Sequence, residues 1–213
     1  EFPAQIAQVA MWLIDHQMNM EAGIALGDYF ARLPLKNSAT IVHGNALRID
    51  WQSLLQPQLS DLWNKDSAAN LRYNYILGNP PFIGTSLQNK VQKDDMEFVF
   101  EGINGAGVLD YVTGWYLKAA RYFKSNHSKD VEAGATKAAF VSTNSISQGE
   151  QVAILWNELF NRYNIKIHFA HRTFKWGNEA KGNAAVHVVI IGFTNFDTNE
   201  KRIFEYIDIK GEP

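Results

Sequence analysis

The chain has 213 residues, of which 46% are hydrophobic, and its formal net charge at pH 7 is -2. This length and apolar content suffice for one packed domain with a sizeable core. The absence of cysteine excludes disulfides and thiolate metal sites, and it favours a cytoplasmic protein over a secreted one. No run of about 18 apolar residues indicates a transmembrane helix, so no membrane partner is expected.

The first half of the chain predicts helices and strands in alternation. Pro3 suits the first turn of a helix, and apolar residues recur at helical spacing from Ile6 to Leu13. A β-branched run closed by Gly44 and a second apolar run closed by two prolines predict strands. In chain order we expect an amino-terminal helix, a strand at 39–43, a helix or structured loop at 52–70, a strand at 73–77 and a helix within 86–104.

The second half continues the same alternation. Asp110 is predicted as the N-cap of a helix that runs to about Lys124. A polar, turn-rich connection follows at 125–136. The remaining predicted elements are a strand at 138–141, a helix at 150–163, and strands at 165–170, 185–193 and 202–209.

Strands separated by helix-length segments are typical of parallel β-α-β units, which predicts an α/β fold with a mostly parallel sheet. The last two strands have no helix-length segment between them. They are therefore predicted to be an antiparallel addition at one edge of the sheet.

The tetrapeptide from Asn79 to Phe82, Asn-Pro-Pro-Phe, follows directly after the strand at 73–77. Ligands of open α/β sheets bind outside the carboxyl ends of the strands. The side-chain carbonyl of Asn79 and the backbone carbonyl of Pro80 could each accept an N–H bond from a planar amino group. Such bonds would turn the nitrogen lone pair towards an incoming methyl group.

The other residues of the tetrapeptide fit the same chemistry. Pro80 and Pro81 stiffen the turn, so both acceptors are in place before reaction. Phe82 offers a flat face on which a base that has left its helix can stack. The structural alternative is a strand-terminating turn with an apolar plug.

The tetrapeptide resembles the catalytic motif of amino-methylating DNA methyltransferases. The resemblance implies a Rossmann-like, S-adenosylmethionine-dependent methyltransferase fold. It also implies methylation of the exocyclic amino group of adenine in double-stranded DNA, with Asn79, Pro80, Pro81 and Phe82 as the catalytic residues. The preference for adenine over cytosine rests on the resemblance alone. No metal site is expected, since cysteine and helical His-x-x-x-His pairs are absent.

Two further segments are similar to parts of that family. The segment 41–47 resembles the one whose Asp or Asn binds the adenine of S-adenosylmethionine, which implies Asn45 and the adjacent Ala46 as cofactor-binding residues. The segment after the strand at 165–170 resembles the one that supplies an aromatic ring to the other face of the flipped base. Phe174 matches that ring best, and Trp176 is its competitor.

Overall the chain resembles the methyltransferase part of the Mme-type bifunctional restriction–modification enzymes, over residues 1 to about 200. The family's glycine-rich cofactor loop is not found and would precede residue 1. No target-recognition domain or nuclease motif is found either. Residues 1–213 are therefore expected to form a partial catalytic domain that is inactive alone and depends on the rest of a parent polypeptide.

Two other functions remain open from the sequence. The same motif serves methylation of a glutamine amide in release factors and of guanine in ribosomal RNA, although the long inserts at 52–70 and 83–108 favour the DNA group. The second alternative is a non-catalytic, methyltransferase-like scaffold in a defence complex. A glycine-rich loop before Glu1 in the parent protein would favour the enzyme.

Overall fold

The computed structural model describes residues 2–27, 40–55, 71–126, 135–176 and 186–206. The chain divides into two compact units, Glu1–Asp50 and Trp51–Pro213. The first unit contains helix α1, Phe2–Leu26, and a turn at 46–48. The predicted amino-terminal helix is thus confirmed. Among the described helices, none combines the length and the apolarity that a membrane crossing requires.

The strand predicted at 39–43 is wrong for the residues that are described. Residues 40–43 have no regular secondary structure, and residue 39 lies outside the described ranges. The β-branched run Thr40 to Val42 favours an extended chain, but a strand also needs a neighbour to pair with. No described strand pairs with this run.

The second unit contains a five-stranded sheet in the order β1-β2-β4-β3-β5. This α/β architecture confirms the predicted fold class. The five strands are β1 (Tyr75–Gly78), β2 (Lys137–Thr143), β3 (Lys166–Trp176), β4 (Val186–Thr194) and β5 (Arg202–Phe204).

The antiparallel strand lies inside the sheet, and not at the edge where it was predicted. Strand β4 runs antiparallel to both β2 and β3, whereas β1 with β2 and β3 with β5 are parallel pairs. Parallel pairings therefore do not predominate among the described strands. Buried residues alternate little along β4, since Val188, Val189 and the run from Ile191 to Thr194 are all buried. Such a continuous apolar run is typical of a strand covered on both faces.

Three α-helices are found among the described residues of the second unit. They are α2 (Lys90–Val99), α3 (Thr113–Ser125) and α4 (Glu150–Tyr163). Helix α2 begins with a reciprocal cap, in which the Asn89 side chain accepts from the Gln92 N–H and the Gln92 side chain accepts from the Asn89 N–H. This arrangement satisfies backbone donors that the first turn would leave unpaired.

The core joins α3 and α4 to the middle of the sheet through aromatic rings. Tyr116 of α3 stacks on Phe193 of β4 with ring centroids 5.1 Å apart, and it meets Phe140 of β2 and Trp156 of α4 edge-on. The Tyr116 hydroxyl bonds the Ser142 hydroxyl at 2.8 Å. Burial raises the pKa of Tyr116 far above its ordinary value, because the phenolate would have no solvent around it.

Several predictions fall wholly or partly outside the described residues. Residues 52–54 form a 3₁₀ turn, while 56–70 lie outside. The connection at 127–134 and the loop at 177–185 also lie outside. The predicted strand at 202–209 is found as β5, which lies at the sheet edge but runs parallel to β3; residues 207–209 are not described.

Candidate active site

The tetrapeptide lies at the carboxyl end of β1, as the sequence predicted. Strand β1 ends at Gly78, and the chain then runs without regular structure to a 3₁₀ turn at Thr85–Leu87. We call residues 79–87 the motif loop. Within it, Asn79 and Pro81 are exposed, Pro80 is buried and Phe82 is half-buried. The loop thus has one proline anchored in the protein and an asparagine open to solvent.

The groups that could bind an amino substrate make no hydrogen bonds to the described residues. Among the described residues, neither the Asn79 side chain nor the Pro80 carbonyl has a hydrogen-bond partner. The part of the chain that is described also contains no aromatic ring packed against Phe82. Two carbonyl acceptors and a neighbouring ring face can therefore receive a planar group that carries N–H donors.

The remainder of the motif loop is held by the segment that leads into α3. The Tyr111 N–H donates to the Ile83 carbonyl at 2.9 Å, and the Thr85 N–H donates to Asp110 Oδ1 at 3.0 Å. Just beyond the loop, the buried side chain of Gln88 donates to the Leu109 carbonyl at 3.0 Å. The loop is therefore tied to the segment 109–111 on its far side from the strand.

Asp110 does not cap α3, so that prediction is wrong. Helix α3 begins at Thr113, and its N-cap position, Val112, makes no side-chain cap bond. The Asp110 carboxylate instead accepts from the Thr85 N–H and from the Ser145 hydroxyl. The Thr113 N–H does not need this carboxylate, because it donates to the backbone carbonyl of Asp110. The side chain is therefore available to the two loops.

The first unit places Asn45 in a tight turn. Its side-chain oxygen accepts from the Leu47 N–H at 3.0 Å, and its backbone carbonyl accepts from the N–H groups of Arg48 and Ile49. Asn45 and Ala46 are both half-buried. These bonds fix the Asn45 side chain in one orientation, as a ligand-binding amide requires.

Phe174 lies on β3 beside a bulge. Strand register shifts by one residue between His171, which pairs with Ile190, and Phe174, which pairs with Val188. The Thr173 hydroxyl, within the bulge, donates to the Asn144 side chain at 3.0 Å. Asn144 begins the 3₁₀ turn that follows β2. Bulges redirect side chains, and this one is hydrogen-bonded to the turn after β2, across the intervening strand β4.

The Phe174 ring belongs to an aromatic cluster, which we define as His171, Phe174, Phe204 and Tyr206. Phe174 stacks on Tyr206 with centroids 5.0 Å apart, and His171 stacks on Phe204 at 4.3 Å. His171 Nδ1 and the Tyr206 hydroxyl are 2.9 Å apart. Burial lowers the pKa of His171 below 6.5, because the cationic ring loses hydration.

The sheet places Phe174 and the motif loop beyond the same ends of its strands but separates them laterally. Val188 of β4 pairs with Thr143 at the end of β2 and with Phe174, so Phe174 is level with the carboxyl end of β2. Strand β1 ends earlier, at Gly78, which pairs with Phe140. Strand β3 is three positions from β1, which at the usual spacing separates the strand axes by roughly 14 Å. Phe174 contacts the aromatic cluster, and the Trp176 side chain lies outside the described residues.

A groove of about 680 Å³ lies alongside the motif loop. It runs between α2 and the segment 100–107, and Thr85 and Ser86 form part of its wall. In the described ranges, no three His, Asp or Glu side chains group closely enough to hold a metal ion.

Sequence reasoning missed three residues that organise this edge. Asp110 was interpreted as a helix cap, and Ser145 and Tyr206 were not singled out. Local sequence patterns do not predict the contacts of Ser145 and Tyr206, because the partner of each is 35 residues away in the chain.

Comparison with known protein families gives one match over nearly the whole chain. The family described as "MmeI, DNA-methyltransferase domain" matches residues 1–205. Among curated proteins, DNA methyltransferase A of Bacillus subtilis (strain 168) is 39% identical over 199 residues, which is 93% of this chain and 20% of that protein.

A solved structure is similar to the whole chain. In the Type IIL restriction-modification enzyme MmeI in complex with DNA, 26% of the protein aligns with 100% of this chain, with a TM-score of 0.81 and 51% sequence identity. The chain therefore spans about a fifth to a quarter of the length of these two relatives.

Proposed function

The chain belongs to the family of MmeI DNA-methyltransferase domains, and on that premise we propose that its parent protein methylates DNA as part of a restriction–modification protein. The proposed reaction transfers a methyl group from S-adenosylmethionine to the exocyclic amino group of adenine. The observation that carries this proposal is the position of two carbonyl acceptors at the carboxyl end of β1, on the exposed Asn79 side chain and on the buried Pro80, neither of which bonds to the described residues.

The amino nitrogen of adenine is a weak nucleophile, because its lone pair is delocalised into the ring. The Asn79 amide oxygen and the Pro80 carbonyl would each accept one of its two N–H bonds. Both acceptors in place draw the nitrogen towards tetrahedral geometry and direct its lone pair out of the ring plane. Since Pro80 is buried and its φ angle is fixed, little reorganisation is needed at the moment of reaction.

The base must leave the duplex to reach this loop. The half-buried Phe82 would stack on one face of the extruded adenine, and Phe174 is proposed for the opposite face. Stacking on an aromatic ring contributes about 1–3 kcal/mol per base, which helps offset the cost of unstacking. Phe174 stacks on Tyr206 and lies on β3, which is three strand positions from β1. For Phe174 to bind the base, the base must therefore extend from the motif loop towards β3.

Asn45 and Ala46 are proposed to hold the methyl donor. The Asn45 side chain is half-buried and fixed by the Leu47 N–H, and an amide offers both a donor and an acceptor to an adenine ring. These residues therefore fit a nucleoside. When bound, S-adenosylmethionine supplies an electrophilic methyl group on a sulfonium.

Because the relatives are several times longer than this chain, we assign activity to the parent protein. A glycine-rich cofactor loop and target recognition are proposed to come from its other segments. Residues 1–213 alone are proposed to be a partial catalytic domain without activity.

The test is methyl transfer from labelled S-adenosylmethionine to DNA by the parent protein. We expect the wild type to label duplex DNA and the Asn79→Ala variant to lose at least ~100-fold in rate, since one transition-state acceptor is removed. Hydrolysis of the product DNA followed by mass spectrometry should give N6-methyladenine. Asn199→Ala is the matched control, because Asn199 is exposed in the segment that leaves β4 at the opposite edge of the sheet.

Other outcomes would favour other functions. Methylcytosine in place of methyladenine would change the base and retain the reaction. Labelling of a release-factor glutamine or of ribosomal RNA, with DNA unlabelled, would replace the substrate. Full DNA labelling by Asn79→Ala would remove the role assigned to the motif loop.

A further inference from the structure

The Asp110 carboxylate bridges the ends of two neighbouring parallel strands. Its Oδ1 accepts from the Thr85 N–H, in the motif loop after β1, at 3.0 Å. Its Oδ2 accepts from the hydroxyl of Ser145, in the 3₁₀ turn after β2. The residue is only 9% exposed. Thr85 is also held through its hydroxyl, which donates to the Gly107 carbonyl at 2.9 Å, whereas the Asp110 side chain joins the loop to the turn after β2.

The backbone of Asp110 is itself fixed from two sides. Its N–H donates to the side chain of Gln151 on α4 at 2.9 Å. Its carbonyl accepts from the Thr113 hydroxyl at 2.7 Å and from the Thr113 N–H. The carboxylate therefore cannot swing freely, and its position is set by α3 and α4. Hydrogen bonds to a charged acceptor are stronger than neutral ones, which suits it to hold two loops.

Resting on the proposed function, we propose that Asp110 is a positioning residue for methyl transfer. It touches neither base nor methyl donor. By joining Thr85 to Ser145, it fixes the far end of the motif loop against the sheet, while β1 fixes the near end. The carbonyl groups of Asn79 and Pro80 are thereby held where the amino group must meet them. Bond-forming geometry tolerates little error, since a misplacement of about 1 Å can cost about 100-fold in rate.

Ser145 connects the Asp110 carboxylate to the end of β2. Its hydroxyl also lies 2.8 Å from the Thr143 hydroxyl at the end of that strand. Loss of the Asp110 carboxylate would leave Ser145 with this bond only, and would leave the Thr85 N–H without its acceptor. The motif loop would then be restrained by β1, by backbone contacts and by the Thr85 hydroxyl bond to Gly107, and its carbonyl groups would sample a wider range of positions.

The experiment compares four variants of the full parent protein well below their melting temperatures. They are Asp110→Ala, Asp110→Asn, Ser145→Ala and, as matched control, Asp95→Ala. Asp95 is a buried carboxylate of α2, 2% exposed, that accepts from the Tyr111 hydroxyl. Single-turnover methyl transfer at saturating DNA and donor is measured, together with DNA affinity and amide hydrogen exchange in peptides covering 82–88.

We expect Asp110→Ala to slow single-turnover transfer about 10- to 100-fold with DNA affinity changed by less than about threefold. Exchange at 82–88 should become faster. Asp110→Asn should recover part of the rate, because its amide oxygen can still accept from Thr85 and its amide N–H can donate to Ser145. Ser145→Ala should give a smaller loss that adds little in the Asp110→Ala background, as members of one network are non-additive. The Asp95→Ala protein should keep wild-type exchange at 82–88.

Equal transfer rates in Asp110→Ala and Asp95→Ala, or unchanged exchange at 82–88 in Asp110→Ala, would overturn the proposal. If Asp110→Ala does not fold, Ser145→Ala supplies the same comparison with a smaller expected change. A wild-type parent that labels no substrate would refute the proposed function, and the exchange measurement would then decide the loop restraint by itself.

Discussion

Gly78, the residue before Asn79, pairs with Phe140 across the parallel strands β1 and β2. A Cβ on Gly78 would come within 3.2 Å of two carbons of the Phe140 ring, which is 1% exposed and packed against Tyr116 and Phe193. The ring has no space into which to withdraw. The glycine therefore lets the end of β1, and with it Asn79, approach β2 closely.

We predict that Gly78→Ala shifts Asn79 by a few tenths of an ångström and slows methyl transfer about 10-fold, as misplaced reacting groups do. Single-turnover kinetics of the parent protein measures this. Phe140→Leu opens space beneath the strand, so the double variant should be faster than Gly78→Ala alone. An unaltered rate in Gly78→Ala would mean that the strand end tolerates the displacement.

Phe174 should contribute to DNA binding through base stacking. We predict that Phe174→Ala weakens binding of DNA with a flipped or mismatched target base by about 5- to 160-fold, the range that corresponds to stacking of about 1–3 kcal/mol. Phe174→Tyr, which keeps a ring, should bind within about threefold of wild type. Fluorescence of 2-aminopurine at the target position reports the stacking directly.

The control for that prediction is Phe160→Ala, which removes an exposed ring of α4 that packs on Trp156. It should leave target-base fluorescence unchanged. If Phe174→Ala behaves like Phe160→Ala, the ring serves the aromatic cluster alone, and the stacking role passes to another residue.

The stability of the aromatic cluster should depend on pH in one direction. Burial lowers the pKa of His171 in the folded protein below 6.5, so the unfolded chain binds the proton more readily. The associated stability is fully present above pH 6.5 and is lost as the pH falls through the folded-state pKa. NMR titration of the His171 ring should give a pKa below 6.5, and His171→Gln should flatten the pH dependence of the melting temperature in this range.

A titration midpoint at or above 6.5 would contradict this prediction. Tyr206→Phe supplies a further comparison, because it removes the hydroxyl 2.9 Å from His171 Nδ1 and keeps the ring.

The buried hydroxyl of Tyr116 should stabilise the core. Tyr116→Phe removes the partner of Ser142, which is fully buried, and an unsatisfied buried polar group costs about 1–3 kcal/mol. Urea unfolding should show this loss of unfolding free energy. Ser142→Ala in the Tyr116→Phe background should restore part of it, because the unpaired hydroxyl is then gone.

Tyr163→Phe is the matched control for the core prediction. The Tyr163 hydroxyl accepts only a long bond of 3.4 Å from Arg121, so its removal should cost less than that of the Tyr116 hydroxyl. Equal losses in both variants would show that the Tyr116–Ser142 bond adds nothing to stability.

Local patterns sufficed to predict most elements and the position of the tetrapeptide. Helix α4 was predicted at its observed bounds, since its apolar spacing is regular and its ends are marked by Gly149 before Glu150 and Asn164 after Tyr163. The tetrapeptide could be placed at a strand end because prolines cannot continue a ladder.

Features that depend on distant partners could not be predicted. Asp110 is of a residue type typical of helix N-caps. Only the folded structure shows that its carboxylate accepts hydrogen bonds from Thr85 and Ser145 instead. The interior position of β4 likewise depends on which strands it pairs with. Chain order suggested the sheet edge, whereas the burial of residues 188–194 required two neighbours.

The interior position of β4 also governs when this sheet can form during synthesis. Strand β4 is the fourth of the five described strands to leave the ribosome, yet it joins β2 to β3. Until residues 186–194 have emerged, β2 and β3 each present an unpaired edge rich in apolar residues. Such edges pair readily with other chains. A nascent chain stalled before residue 186 should therefore depend on chaperones, because β2 and β3 cannot join in one sheet until β4 has been synthesised.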